Sequence, residues 1–490
     1  MTLDRFELVG LFPEILVWDT TLILLVFGMV ACTTEQDPPL VRTVAWLGLH
    51  CVLLATLLVG GAGPITINSL HDILLTDSFT HCCEIFLLVG TAGTILFIVD
   101  HGARDALRAF EIIVLILLST SGMLVLISAS DLLIMFIAME LQTLCFYVIA
   151  ASKRDSECST EAGLKYFIIG AFSSGIFLFG CSIVYGSTGL TNLEELGILI
   201  NCSSLGFTAP SKGLPIGILC IVVGFLFKIT AVPFHMWAPD VYEGSPTLVT
   251  AFFSIAPKIA IFANLVRVLI YCFHDHDWQP LMFFASIGSL ILGAVAAMAQ
   301  QKVKRFLAYS SIGHVGYLCI GLSCGTMEGI QSLLIGLLIY LFMTVNVFGL
   351  LCAVRPARFQ FLGDLGAFGK LHPLFAITFS LTMFSYAGIP PLAGFCSKFY
   401  LFFAALRCGA DALAGLGLVT SVISCFYYLR LVKLMYFDIL GEEHMIPPQI
   451  DRDNSIILAI TLACITLMFL HPSPLFLVTH HMALGLFAGS

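Results

Sequence analysis

Runs of apolar residues long enough to cross a lipid bilayer recur from one end of this chain to the other. A crossing takes about 20 residues at about 1.5 Å each. Of the 490 residues 59% are hydrophobic and 11% charged, and the mean hydropathy is +1.01. A soluble domain runs nearer half apolar and a quarter charged. No stretch of about 100 residues reads as a separate soluble domain. The first apolar run carries Glu14 and Asp19, with neither a basic leader nor a small-residue cleavage site, so no removable signal or transit peptide is expected. The composition predicts one all-α polytopic membrane domain.

Segmenting by apolar length and helix breakers predicts about fourteen spans. The first three lie near 11–32, 43–62 and 79–99, and the next five near 110–128, 131–151, 161–186, 214–239 and 245–272. Six more follow near 281–300, 306–324, 329–353, 373–406, 412–437 and 456–476. The basic residues of short loops collect on the cytoplasmic-type side of a membrane and so test this segmentation. With the N-terminus outside, inner loops hold Arg42, Arg104, Arg108, Lys153, Arg154, Lys302, Lys304, Arg305, Arg355, Arg358, Lys370 and Arg452. Outer loops hold only Arg5, Lys212 and Arg407. One missed span in the middle would scramble that bias, so both termini are expected to face outward.

Charges left inside the spans carry the functional signal. Lys165, Arg267, Arg430 and Lys433 fall toward helix ends, where long side chains reach the headgroups, and read as interfacial anchors. Glu140, Lys228, Lys258 and Lys398 fall near span centres. Each costs about 3 kcal/mol to insert, on the order of 10 kcal/mol together. Buried ion pairs would be the bland explanation, but one acid cannot neutralise three lysines. An ion pathway is the better reading.

The stretch FKITAVPFHMWAPDVYEGSP, Phe227 to Pro246, breaks span seven at Pro233. SYAGIPPLAGFCSKFY, Ser385 to Tyr400, breaks span twelve at Pro390 and Pro391. Breaks in lipid are tolerated where they line protein or water-filled cavities. The two lie an odd number of spans apart and so cross in opposite directions, the pattern of inverted-topology repeats with a site near the midplane. The expected organisation is three N-terminal helices in 1–109 and a first five-helix repeat (helices four to eight) in 110–272. A second, inverted five-helix repeat (helices nine to thirteen) follows in 273–437, then a C-terminal loop and helix fourteen in 438–490. His235, two residues past Pro233, fits either a relay or a cap on exposed carbonyls. His314 reads first as a packing histidine and second as a relay. Asp240, Glu243 and Glu14 read as structural.

The seventeen cysteines form no ligand spacing; Cys82 and Cys83 are adjacent and most others stand singly in apolar runs. They read as small hydrophobic filler, with neither a disulfide framework nor a metal or cluster site. The net charge of −9 is spread thinly over loops and marks no docking face.

At this level the residues resemble a known family. FKITAVPFHMWAPDVYEGSPT, followed by Ala256-Pro257-Lys258, resembles the hallmark of the antiporter-like subunits of respiratory complex I, NADH–quinone oxidoreductase. KVKRFLAYSSIGHVGY and GIPPLAGFCSKFY match the same family farther along, and the similarity to its subunit-2 branch covers essentially the whole chain. AASKRDSECSTEAGLKYFIIGAFSSGIFLFG is most similar to the plant-type mitochondrial form. The resemblance implies that Glu140 and Lys228 form an ion pair, that Lys258 is a connecting lysine and Lys398 the second-half lysine of a hydrated charged axis. It implies a proton-translocating membrane-arm subunit of the mitochondrial inner membrane, both termini in the intermembrane space, with no cofactor or metal of its own. NADH, FMN, iron–sulfur clusters and ubiquinone would belong to other subunits. The implied partners are other membrane-arm subunits, including antiporter-like and small ones, the lateral helix of the largest antiporter-like subunit, and lipids, with no nucleic acid. This chain is expected to lack such a lateral helix and to be clasped by that of its relative.

A lysine with an ordinary pKa near 10.4 holds its proton permanently. Making one release near neutral pH takes about three units, or about 4 kcal/mol. A carboxylate contact at about 4 Å is worth a similar amount at an effective dielectric of about 20. Opening a Glu140–Lys228 pair would therefore supply the swing a relay needs. The competing readings are a stand-alone cation/proton antiporter subunit, a non-pumping structural spacer, and a membrane cytochrome with His235 and His314 as axial ligands.

Overall fold

The computed structural model describes residues 10–31, 38–61, 67–69, 72–101, 110–153, 155–204, 213–273, 278–353, 360–366, 368–437 and 452–488. The loop residues Arg5, Arg104, Arg108, Arg154, Lys212, Arg355 and Arg358 lie outside these, as does the loop expected before helix fourteen.

The first unit is α1 (Phe12–Ala31), α2 (Pro38–Gly61) and α3 (Ser78–His101). Then come α4 (Glu111–Ser128), α5 (Leu132–Ala150), α6 (Glu157–Thr188) and a short α7 (Leu193–Ser204) that the segmentation did not foresee. The first broken span is α8 (Leu214–Ile229) plus α9 (Trp237–Gly244). It leads into α10 (Thr247–Arg267), which ends in a π-turn, Val268–Cys272. Next are α11 (Gln279–Ala299), α12 (Val303–Ser323), α13 (Met327–Ala353) and a one-turn α14 (Phe368–Leu371). The second broken span is α15 (Pro373–Ala387) plus α16 (Ala393–Arg407). The described chain closes with α17 (Asp411–Phe437), α18 (Arg452–Leu470) and α19 (Ser473–Ala488).

Twelve of these helices are long and apolar enough to cross a membrane. α8 and α15 are shorter apolar helices at the two expected breaks, and the α19 stretch is a third that the segmentation did not include. Among the described residues, a two-stranded antiparallel ribbon, β1 (Ile67–Ser69) with β2 (Leu74–Thr76), lies between α2 and α3.

Small residues occupy much of the buried face of the helix α6, and large apolar side chains cover its outer face. On α6 the buried positions include Ser159, Gly163, Gly170, Ser173, Ser174 and Gly180, while Leu164, Phe167, Ile168, Phe172 and Phe179 point outward. Lipid is as apolar as leucine, so helices gain little by hiding large side chains and associate through small residues that let backbones approach. A Cβ added at Gly180 would sit 2.8 Å from the Gly217 carbonyl of α8, so only glycine permits that approach. α10 and α13 pack together at the centre, and every residue of α10 is buried.

Arg267 is not the interfacial anchor that its place near a helix end predicts. It is 2% exposed and donates to the Ile127 carbonyl at 2.7 Å and to both Asp77 oxygens at 3.1 Å. Asp77 at the start of α3 and the end of α4 enclose it, so the guanidinium staples three helices rather than reaching headgroups. Arg430 and Lys433 are exposed, while Lys165 pairs with Glu161 at 2.7 Å and Asp240 at 2.9 Å. Asp240 also meets Arg305 at 3.0 Å, and Glu243 pairs with Lys302 and Arg305, so both acids tie α9 into a charged network at one end. Glu14 is buried, and neither carboxylate oxygen has a hydrogen-bond partner.

Candidate functional site

Both breaks are built on one backbone plan. α8 ends in a left-handed cap at Thr230, φ +66°, and α15 in one at Gly388, φ +82°. In each, the next residue reaches back five positions: Ala231 N–H donates to Leu226 O at 3.0 Å, and Ile389 N–H to Phe384 O at 3.1 Å. The following turn also repeats, with Phe234 N–H on Ala231 O and Leu392 N–H on Ile389 O. The Val232–Pro233 and Pro390–Pro391 bonds are both cis. Superposing Pro233 on Pro391 pairs Thr230 with Gly388, Lys228 with Tyr386, and Asp240 with Lys398. The lysine therefore stands before the first break and after the second.

Proline has no N–H, so each break strands a carbonyl four residues upstream. At the second break that carbonyl is Ala387 O, and the Lys398 ammonium donates to it at 3.0 Å. At the first break, where the matching carbonyl is Ile229 O, the Trp237 indole donates to Phe227 O two residues earlier at 3.0 Å, and Ser289 of α11 accepts from Val232 N–H at 2.9 Å. The Trp237 indole thus serves one carbonyl near the break, and His235 lies against the carbonyl of Pro233. His235 is 9% exposed, and its Nδ1 has no hydrogen bond of good geometry. Pro257 inside α10 strands Phe253 O in the same way, and the Tyr242 hydroxyl of α9 donates to it at 3.3 Å.

Lys228 donates to the Ser174 hydroxyl of α6 at 3.1 Å. Glu140 lies close enough to act on its charge but is not in a direct ion pair with it, and Glu140 Oε1 is buried without a hydrogen-bond partner. The expected Glu140–Lys228 contact is therefore open in this structure. Lys258, 3% exposed, donates to the Tyr340 hydroxyl at 3.0 Å and lies 4.7 Å from that ring's centroid. Lys398, 6% exposed, lies 4.9 Å from the centroid of Tyr317.

His314 stands between the last two lysines. Its ring centroid is 5.5 Å from Tyr340, 6.0 Å from Tyr317 and 5.0 Å from Tyr386. It lines two cavities together with Lys398, one of which also includes Tyr340 and the other Thr420, Ser424 and Tyr428. Another small cavity has both Lys228 and Lys258 in its wall, with Gln142, Thr143, Thr230 and Tyr242. The polar groups thus run from Glu140 and Lys228 through Lys258, Tyr340 and His314 to Lys398, across the central α10–α13 contact. The sequence pointed to the charged members. It did not flag Tyr340, Trp237, Ser174 or Gln142, although Gln142 is visible as a polar interruption two residues past Glu140. Among the described residues no group of three or more His, Cys, Asp or Glu side chains could hold a metal ion.

Comparison with known proteins agrees with this geometry. The family described as NADH:quinone oxidoreductase/Mrp antiporter, TM, matches residues 129–424. The chain is 63% identical over 484 residues to NADH-ubiquinone oxidoreductase chain 2 of Marchantia polymorpha, covering 98% of this chain and 99% of that one. It is 42% identical over 479 residues to NADH-quinone oxidoreductase subunit N of Rhodospirillum rubrum, covering 96% of each. A chain of respiratory complex I from Thermus thermophilus with bound aureothin shares the fold with a TM-score of 0.80 at 29% identity, over 95% of this chain and 98% of that one. Relatedness at this level over nearly the full length, together with two broken helices that seat lysines, places the chain in the NADH-ubiquinone oxidoreductase chain 2/NADH-quinone oxidoreductase subunit N family of antiporter-like membrane subunits.

Proposed function

We propose that the chain relays protons within the membrane arm of an NADH–ubiquinone oxidoreductase, driven by electron transfer in other subunits. The observation that carries this reading is the pairing of the mid-span lysines. None of Lys228, Lys258 and Lys398 is in an ion pair among the described residues; their partners are a serine hydroxyl, a tyrosine hydroxyl and a backbone carbonyl. Helix glue would neutralise them, because an unpaired buried charge costs several kcal/mol. Groups that must gain and lose a proton are better served by neutral partners.

In this reading Lys228 loads while Glu140 is near and discharges as the two separate. The proton passes to Lys258, then past Tyr340 and His314 to Lys398. His235 lies off this line, at the first break. Residues 110–272 and 273–437 act as the two inverted repeats, a division supported by the shared backbone of the breaks. The chain would sit in the mitochondrial inner membrane with both termini toward the intermembrane space. Its partners would be other membrane-arm subunits, antiporter-like neighbours and the lateral helix of the largest among them. Flavin, iron–sulfur clusters and the ubiquinone site would lie in those other subunits.

The test is proton uptake per electron during NADH oxidation in membranes carrying Lys228→Ala, after assembly of the complex is confirmed. A fall in pumping or in coupled turnover supports the relay. Normal pumping overturns it in favour of a structural spacer.

A further inference from the structure

We propose that Gln142 and Thr230 are positioning residues that hold and orient the water joining Lys228 to Lys258 along the hydrated axis. This rests on the relay reading above.

Gln142 is completely buried on α5, and neither its Oε1 nor its Nε2 has a hydrogen-bond partner. A carboxamide offers two donors and two acceptor lone pairs. Burying all of them unpaired is costly, whereas methionine or leucine would fill the same place without that cost. Buried polar groups in folded proteins are almost always satisfied, by ordered water where no protein atom serves. The side chain lines the cavity whose wall includes both Lys228 and Lys258.

Thr230 points the same way on independent grounds. It is a β-branched residue held at φ +66°, where the matching position of the second break is glycine. Such residues rarely adopt this conformation. Its hydroxyl is buried in the same cavity without a partner. A strained backbone carrying an orphaned hydroxyl marks a position kept for its side chain rather than for the turn.

Each ammonium has three N–H donors, and the structure gives Lys228 one acceptor in Ser174 and Lys258 one in Tyr340. The others are free for the cavity. A water there would meet the two to four polar partners that a buried water needs. The step balances as a pure proton transfer: the Lys228 ammonium gives a proton to water, and water gives one of its protons to the Lys258 amine. Lys228 ends neutral, Lys258 ends charged and the water is unchanged. A carboxamide suits this role because it donates and accepts without titrating, so it orients water and never traps the proton.

Two variants in the assembled complex test the site. Gln142→Met keeps length and volume but deletes both polar atoms. Thr230→Gly deletes the hydroxyl while relieving the backbone, so it should be at least as heat-stable as the parent. Both are expected to lower protons pumped per electron by about half or more and to raise the H2O/D2O rate ratio of coupled turnover. NADH oxidation by an artificial acceptor in the peripheral arm should not change. Unchanged pumping and isotope ratio in both overturns the proposal, and Lys228→Ala in the same membranes separates the causes. If Lys228→Ala also pumps normally the relay itself fails; if it alone is impaired, only the water site fails. A cryo-EM map of the intact parent complex that resolves waters should show one within about 3.2 Å of the Gln142 amide. A dry amide there overturns the proposal whatever the variants do.

Discussion

The two broken helices share a backbone but differ in where they put the charge, and that difference separates architecture from chemistry. At the second break Lys398 also closes the helix end, since its ammonium takes the Ala387 carbonyl that Pro391 leaves without a donor. At the first break Trp237 and Ser289 bind backbone groups on either side of the cap at Thr230, and Lys228 donates only to a neighbouring hydroxyl. The break is a scaffold on which a lysine can stand on either side. Lys228 is therefore free to change partners without loosening the fold, whereas Lys398 is tied to it.

The largest effect should come from the positions that superpose as Gly394 and Met236. A Cβ at Gly394 would lie 1.8 Å from the Ser385 carbonyl, while Met236 is 74% exposed. Gly394→Ala is expected to cost more than about 3 kcal/mol and to abolish assembly on native gels. Met236→Ala should assemble normally; equal tolerance at both sites would break the comparison.

Next in size is the lysine asymmetry. Lys398→Ala orphans a buried carbonyl and should lower the thermal stability of the assembled complex by about 1–3 kcal/mol as well as impairing pumping. Lys228→Ala should impair pumping with little thermal effect. Trp237→Phe keeps most of the stacking on Tyr166, 4.6 Å between centroids, but removes the indole donor to Phe227 O. It should cost about 1–2 kcal/mol in heat inactivation without a matching loss of pumping per electron. Gly388→Ala meets a positive φ and crowds the Lys398 side chain at 2.9 Å, so about 1–2 kcal/mol is expected, with partial loss of pumping. Ser174→Ala should be the smallest, under about 1 kcal/mol, read as a shifted rate of coupled turnover rather than as instability.

Much of this was legible before any coordinates. Lys228, Lys258, Lys398 and Glu140 stand out because a charge in an apolar run is costly wherever the helix ends up. Pro233 and Pro391 stand out because proline interrupts a helix whatever surrounds it. His314 could not be weighed from sequence: Tyr317 lies one turn along its own helix, but Tyr340 and Tyr386 come from two others. Arg267 was misread because its distance from the end of an apolar run could not reveal Asp77, which is far away in sequence and adjacent in space. Gln142 showed as polar, but burial and the lack of any partner are properties of its neighbours.

The sequence by itself determined that the chain lives in lipid, where its helices start and break, and which side chains are too costly to be ornamental. These are local, additive consequences of apolar length, proline geometry and charge insertion, and they do not depend on how helices meet. Only the tertiary structure decided the partners: Tyr340 for Lys258, a broken-end carbonyl for Lys398, Ser174 rather than Glu140 for Lys228, and His314 between two lysines. Those choices rest on which faces of distant helices come into contact. In a bundle held by small residues and close backbone approach, that contact follows from packing among all the helices together.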